Sequence, residues 1–247
     1  MMRPTLLYAV LLCLLLTACR GAVTPPSRTA EEHYQEARIL FEARRYKEAV
    51  AALEVARATY EAAETSRKAT LLLADTHFAA EDYPEATTMY ETFLRQHPGD
   101  PDTPRALSQL GKSYYHQILA IDRDQTAARN TVVTFESLQR LYPDHPLAGE
   151  APEYIRFGNQ HLARHELYVG RFYYRTGELR AAIQRLRAIG ETYPDFAAMD
   201  QVNYYLGRAY LDNGHHALAV QTLETLLRDH PDSKLYSKAQ RILRRKL

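Results

Sequence analysis

Residues 164–194 read RHELYVGRFYYRTGELRAAIQRLRAIGETYP, and this stretch decides the fold. Its small residue Gly170, its alanine Ala182 and its proline Pro194 follow one another at intervals of twelve residues. A small residue lets two helices approach where they cross, and a proline ends the second helix because it cannot continue the backbone hydrogen bonding. Thr176-Gly177 marks a turn between them. The stretch therefore predicts a helix, a turn and a second helix.

The same pattern recurs along the chain. Four of the five small residues are followed after twelve residues by an alanine, and three of these alanines are followed after twelve more by a proline. The third unit carries eight extra residues before Thr131, and the fourth carries fourteen between Pro143 and Gly170. Every length anomaly is thus confined to two insertions. The small residues, spaced by 37, 37, 59 and 37 residues, are Ala37, Ala74, Gly111, Gly170 and Gly207.

Repeated helix pairs predict a stacked array. A single pair cannot bury its apolar face, so neighbours must stack into a superhelix with a concave surface. No stretch of alternating β-branched residues predicts a sheet. The pattern resembles the tetratricopeptide repeat, whose units have about 34 residues. We therefore predict an all-α fold, an α-solenoid of about five tetratricopeptide-like helix pairs plus a C-terminal capping helix over 233–245. The predicted units are 30–64, 65–99, 102–143, 147–194 and 197–231.

The N-terminus predicts export and lipidation. Arg3 precedes an uncharged apolar run from Leu6 to Leu16, which is short for a membrane span of roughly 20 residues. Leu16-Thr17-Ala18-Cys19 resembles the lipobox of bacterial lipoproteins. This resemblance implies that residues 1–18 are a cleaved signal peptide, that the thiol of Cys19 is diacylated, and that Arg20 favours sorting to the outer membrane. A secreted soluble protein with a cysteine near its cleavage site is the alternative. The predicted organisation is signal peptide 1–18, lipidated flexible tether 19–29, N-terminal units one to three at 30–143, and C-terminal units with the capping helix at 144–247.

Composition and motifs argue against catalysis and nucleic-acid binding. Lysine and arginine number 31 against 30 aspartate and glutamate residues, so no global basic character points to nucleic acid. The sequence lacks a glycine-rich phosphate loop and a Gly-x-Ser-x-Gly elbow. His161 and His165 share a helix face beside Glu166, but no third metal ligand is evident, and we interpret them as a solvated or interface pair. We predict no enzyme activity, no cofactor and no metal.

Positions expected on the concave side carry aromatic and basic residues. The fourth place after the small residue is aromatic in four of five units, and the places one after and six before it are basic in seven of ten cases. A basic groove with aromatic walls suits a peptide that carries aromatic side chains and a carboxylate. Plain packing and a solvated charged face are the alternatives. The candidates for binding an extended or C-terminal peptide in the first three units are Arg38, Phe41, Asp75, Phe78, Lys112 and Tyr115.

Two inserted segments, DRDQTAAR at 122–129 and RHELYVGRFYYRTG at 164–177, make the chain resemble the BamD family of outer-membrane assembly lipoproteins, also described as ComL-type. The resemblance implies a place on the periplasmic face of the outer membrane, in the machinery that folds and inserts β-barrel proteins. It implies that the N-terminal units bind the C-terminal signal of unfolded outer-membrane proteins, and that the C-terminal units dock on the barrel subunit, BamA. The insertion around 118–125 is short compared with that of some members of the family.

Arg185 matches a family arginine, early in the second helix of the fourth unit, that is implicated in docking on BamA. With the groove positions Arg171 and Tyr174 of the same unit, it forms the candidate docking set. A cell-envelope organiser that binds peptidoglycan or Tol-Pal components is the alternative function. A periplasmic enzyme is not expected, since the repeats account for nearly all of residues 30–231 and leave no segment for a catalytic domain.

Overall fold

The computed structural model describes residues 28–58 and 63–246 of the chain. The candidate signal peptide, Cys19 and the tether up to residue 27 lie outside the described residues. Within the described residues the chain forms eleven α-helices and one short 3-10 helix, and no strand, which confirms the all-α prediction. The helices are α1 Ala30–Glu42, α2 Tyr46–Ala58, α3 Ala63–Ala79, α4 Tyr83–Gln96, α5 Thr103–His116, α6 Thr126–Leu141, α7 Ala151–Thr176, α8 Leu179–Thr192, α9 Met199–Asp212, α10 His216–Asp229 and α11 Tyr236–Lys246, with the 3-10 helix Pro146–Glu150 before α7.

The helices stack in pairs along the array. Each odd-numbered helix from α1 to α9 packs against the even-numbered helix that follows it, and that second helix packs against the next pair. Successive first helices also contact one another, from α1 through α9, whereas the described second helices make no comparable contacts. The first helices therefore line one side of the solenoid, which we call the inner face. No helix in 28–58 or 63–246 combines the length and the hydropathy that a membrane span requires.

The small residues lie where the paired helices cross. Ala37 and Ala74 are completely buried. A Cβ added to Gly111 would lie 2.6 Å from the ring of Phe135, and one added to Gly170 would lie 2.7 Å from Leu186. These distances are too short for a side chain, because protein interiors are close-packed. The twelve-residue spacing in the sequence thus records the points where first and second helices touch.

We expect Gly170→Ala to lower the free energy of unfolding by about 1–3 kcal/mol, because the added methyl overpacks the α7–α8 crossing against Leu186. Gly190→Ala is the matched control, since Gly190 is also helical and its added Cβ would meet only Met199 at an ordinary 3.6 Å. That control should gain up to about 1 kcal/mol of helix propensity. Urea denaturation followed by circular dichroism measures both. Equal effects of the two substitutions would contradict the packing argument.

The two insertions reshape the middle of the array. The extra residues of the fourth unit extend α7 to 26 residues. Near its start, Gly158 of α7 packs against Val132 of α6, and further along Gly170 packs against Leu186 of α8. The insertion of the third unit forms the segment 117–125 between α5 and α6. This segment lies against α7, because Nδ1 of His165 is 2.6 Å from the carbonyl oxygen of Ile121.

Candidate functional site

Five ring side chains form a continuous series across the second, third and fourth pairs. The centroid of Phe78 on α3 lies 5.5 Å from that of Tyr83 on α4, and Tyr83 stacks on His116 of α5 at 4.5 Å. Tyr115 is 5.5 Å from His116 and 4.9 Å from Phe157 of α7. Three successive first helices contribute to this series, so it follows the solenoid axis. We call Phe78, Tyr83, His116, Tyr115 and Phe157 the aromatic row.

The aromatic row is held by the core and is open at its far end. Tyr115 meets Tyr154 edge to face at 5.2 Å, and Tyr154 stacks on the fully buried Phe135 at 4.4 Å. Phe157 remains 41% exposed, while Phe78 and Tyr115 are half-buried. Rings held in this way lose little conformational freedom on binding and offer apolar faces to the side chains of a bound peptide.

A network of charges lies beside the row on the inner face. Asp75 of α3 accepts hydrogen bonds from Arg105 of α5 at 2.8 Å and 3.0 Å, and from the hydroxyl of Tyr90 at 2.6 Å. Burial raises the pKa of Tyr90, and the charge of Asp75 raises it further, so the phenol stays a donor. Lys68 and Arg105 help to line a cavity of about 140 Å³ bordered by α1, α3 and α5. This network joins the second and third pairs.

The structure separates the six groove candidates. It brings Phe78 and Tyr115 into one row through His116. Arg38 is exposed on α1, with its guanidinium 3.4 Å from the amide oxygen of Gln35, and Phe41 lies against Tyr46 at 6.0 Å within the first pair. Asp75 belongs to the charge network described above. Lys112 forms an ion pair with Glu150 at 2.7 Å.

Nearby carboxylates neutralise much of the expected positive charge of the inner face. Arg105 is paired with Asp75 and lies 3.6 Å from Asp102, Lys68 is 3.3 Å from Glu64, and Lys112 is paired with Glu150. The sequence count included Asp75 as a position that is not basic, but it left out Glu64, Asp102 and Glu150, which occupy other repeat positions. The inner face of the first three pairs is therefore less positive than the sequence predicts.

The C-terminal docking candidates fall on two sides of the fourth pair. Arg171 lies over the ring of Tyr205 at 4.9 Å, and Arg208 lies over Tyr174 at 5.1 Å. The hydroxyl of Tyr174 donates to Asp212 at 2.7 Å. We call these five residues the arginine–tyrosine ladder, which joins α7 to α9. Arg185 lies apart from it on α8 and bonds Glu166 at 3.1 Å.

The histidine pair on α7 holds the inserted segment 117–125. His165 contacts the carbonyl of Ile121, and the buried His161 has a backbone hydrogen bond with Leu119. Nε2 of His161 is buried without a hydrogen-bond partner. In the part of the chain that the structure describes, no group of three metal-ligating side chains is found. The contacts with Ile121 and Leu119 give the pair a structural part in placing the insertion against α7.

We expect His161 to make stability depend on pH. Burial lowers its pKa below the ordinary value of 6.5, the charges of Arg164 and His165 lower it further, and the bond with Leu119 opposes them. The unfolded chain therefore takes up this proton at a higher pH than the folded chain does. Stability should fall as the pH drops through about 6.5 towards the lowered folded value. Urea denaturation of the wild type and His161→Gln across this pH range isolates the contribution of His161. If the free energies of unfolding of the two proteins depend on pH in the same way, the prediction is refuted.

Sequence reasoning missed three members of the aromatic row. Tyr83 begins the second helix of its pair, 37 residues after Tyr46, so the repeat itself could have identified it. His116 follows Tyr115 directly but has no special place in the repeat. Phe157 lies in the extra residues of the fourth unit, for which no other unit supplies a counterpart.

Comparisons with known proteins agree with this architecture. The family model described as outer membrane lipoprotein, YfiO, matches residues 26–214, and a tetratricopeptide repeat model matches residues 201–233. A relative from Caulobacter vibrioides, named outer membrane protein assembly factor BamD, is 27% identical over 197 residues, which are 77% of this chain and 65% of that protein. A protein of the same name from Pasteurella multocida is 23% identical and covers 77% of each chain. The chain thus spans just under two thirds of the Caulobacter relative's length.

Among solved structures, the TPR2AB domain of yeast Sti1 is similar at 12% identity with a TM-score of 0.41, over 83% of this chain and 78% of that one.

Proposed function

Because the chain belongs to the outer membrane lipoprotein family YfiO, we propose that it is a non-catalytic assembly factor for outer-membrane β-barrel proteins. The observation that carries this proposal is the aromatic row, which runs across three helix pairs and stays open at Phe157. Unfolded barrel strands expose apolar side chains and unpaired edges, so they aggregate unless they are held. A rigid solenoid with an open row of rings suits that task.

The proposed guest is the extended C-terminal segment of an unfolded barrel protein. Alternate side chains of an extended strand lie about 6.6 Å apart on one face. Successive ring centroids of the aromatic row lie 4.5–5.5 Å apart, which is less than this spacing, so each guest side chain on that face can contact a ring. Aromatic guest side chains would pack edge to face or offset on these rings.

Charge has the smaller part in this binding. Lys112 and Arg105 already carry carboxylate partners, so a guest carboxylate must compete with Glu150 or Asp75. Such an exchange of partners gains little net free energy. Substitutions of the rings are therefore expected to weaken binding more than a charge change at Lys112 does.

We place the protein at the periplasmic face of the outer membrane, held by acyl chains on Cys19 after cleavage of residues 1–18. The family description and the lipobox support this placement. From Cys19 to the start of α1 there are eleven residues, which reach at most about 40 Å when fully extended. The first helix pair then stays close to the bilayer, where a guest must be delivered.

The C-terminal pairs are proposed to dock on a BamA-like barrel subunit. The arginine–tyrosine ladder stiffens the junction of α7 and α9, because cations over aromatic faces and the bond between Tyr174 and Asp212 tie the two helices together. Arg185 offers a half-exposed guanidinium on the other side of the same pair, beside Glu166. Arginine of this kind is common at the centres of protein interfaces.

Affinity purification from membranes, with the acyl anchor intact, tests the proposed function. Recovery of a large barrel protein with periplasmic domains, together with unfolded outer-membrane proteins, is the expected result. Recovery of glycan strands or Tol-Pal components without any barrel protein would overturn it in favour of a cell-envelope organiser. The Cys19→Ser chain is the control, since it separates partners held at the membrane from those that bind the solenoid in solution.

A further inference from the structure

The C-terminal segment concentrates positive charge. After Asp232 the sequence contains six basic residues and no acidic one, while the rest of the chain has 25 basic against 30 acidic residues. Most of these residues belong to α11, the last helix of the solenoid. The charge of the molecule is therefore balanced in total and strongly uneven in space. The six residues are Lys234, Lys238, Arg241, Arg244, Arg245 and Lys246.

The first five of these cations face solvent without partners. All five side chains are exposed, and none of them takes part in an ion pair among residues 28–58 and 63–246. Elsewhere several described arginines pair with carboxylates, and Arg67 has three such partners, Glu64, Asp100 and Asp102. We call Lys234, Lys238, Arg241, Arg244 and Arg245 the cationic face.

The opposite side of α11 fixes the cationic face in place. Ala239 is completely buried in a cluster with Tyr204 and Leu223, and Ile242 and Leu243 pack against that cluster. Lys238, Arg241 and Arg245 recur at intervals of three and four residues, so they share the solvent side of the helix. These three cations thus form an array on one side of a packed helix and not a loose basic tail.

A bilayer surface fits this array better than a protein does. Protein interfaces are depleted in lysine, and where arginine is enriched it accompanies aromatic or apolar anchors. On α11 no large apolar side chain is exposed among the described residues. Clusters of lysine and arginine on an amphipathic helix are typical of sites for anionic headgroups. The chain also belongs to a family of outer membrane lipoproteins, so a bilayer surface is its immediate neighbour.

We propose that the cationic face, four of whose five residues lie on α11, is a second membrane-contact site that binds anionic phospholipid headgroups of the bilayer. Helix α1, which follows the proposed anchor in the sequence, and α11 are the first and last helices of the solenoid, so contact at both ends would hold the array along the membrane surface. This site is independent of the aromatic row and of the peptide binding proposed above. Its binding is electrostatic and weakens as salt screens the charges.

Vesicle sedimentation with the full mature chain, from residue 19 and carrying Cys19→Ser to remove the acyl anchor, tests the site. We expect binding to vesicles of equal parts phosphatidylcholine and phosphatidylglycerol, and no binding to phosphatidylcholine alone. Each cation near an anionic surface strengthens binding roughly fivefold. The triple variant Lys238→Gln, Arg241→Gln, Arg245→Gln should therefore lower the partition coefficient by about 100-fold. Added salt should also lower the binding of the wild type to the anionic vesicles.

A second triple variant, Lys47→Gln, Arg140→Gln, Arg180→Gln, removes the same charge from exposed positions on α2, α6 and α8 and should bind like the wild type. Equal losses in both variants would show that only net charge matters and would overturn the proposal. Equal binding of the wild type to both kinds of vesicle would also overturn the proposal. The same holds if the protein binds no vesicles and α11 instead binds polyglutamate. Circular dichroism checks that all three proteins are folded. Phe157→Ala, which tests the peptide site, should leave vesicle binding unchanged.

Discussion

Phe135→Ala is expected to lower the free energy of unfolding by about 3–5 kcal/mol, the range for removal of a buried phenylalanine. Phe135 is fully buried on α6, fills the space left by Gly111 of α5 and stacks on Tyr154 of α7. Its ring therefore joins three helices at the junction between the third and fourth pairs. The alanine would leave a cavity there that the surrounding helices can only partly close.

Urea denaturation followed by far-ultraviolet circular dichroism measures this loss, since the chain has no tryptophan to report it. Val133→Ala on the same helix is the control, because Val133 is 59% exposed and its truncation should change stability by no more than about 0.5 kcal/mol. Stability of a repeat array depends on the interfaces between neighbours. The cavity is therefore expected to split unfolding into two transitions. A single transition with a loss no larger than that of the control would refute the account.

Phe157→Ala is expected to weaken binding of an extended peptide that ends in phenylalanine by about tenfold to thirtyfold, the effect of removing an aromatic anchor from an interface. Phe157 is the exposed end of the aromatic row, and its ring faces Tyr115 at 4.9 Å. Removal of the ring should cost little stability because so much of it is already in water. Isothermal titration calorimetry with the synthetic peptide measures the change.

Phe172→Ala provides the matched control for this binding experiment. Phe172 lies on the same helix and is 48% exposed, but it stands outside the aromatic row and contacts Tyr173. The control should bind the peptide as the wild type does, and Lys112→Glu should show a smaller loss than Phe157→Ala because Lys112 is already paired with Glu150. An equal loss at Phe157 and Phe172 would mean that the peptide binds exposed rings without selection.

The repeat identified two of the five members of the aromatic row, Phe78 and Tyr115, because both occupy the fourth place after a small residue. Phe157 was not predictable in this way. Its position depends on how the extra residues of the fourth unit fold, and they continue α7 as one long helix that packs on α6 at its start and on α8 at its end. Helix length can be set by such packing on both sides, which a local pattern does not contain.

The net charge of the inner face could likewise be predicted only in part from the sequence. The sequence gives the sign of each side chain, and it located Arg105 and Lys112 among the basic positions. Their partners Asp75 and Glu150 come from other elements, over separations of 30 and 38 residues. Pairing of this kind depends on distances of a few ångströms between helices, so a count along the chain could not detect it.

The sequence by itself determined the helical class and the crossing points, because the spacing of small residues, alanines and prolines encodes where backbones must approach and where helices must end. It also located both insertions by their excess length. Only the tertiary structure decided that one insertion lengthens α7 while the other lies under His161 and His165, and which rings and charges meet across the pairs. The physical reason is that helix formation and crossing follow from local sequence, whereas contacts between side chains of different pairs follow from how the pairs stack.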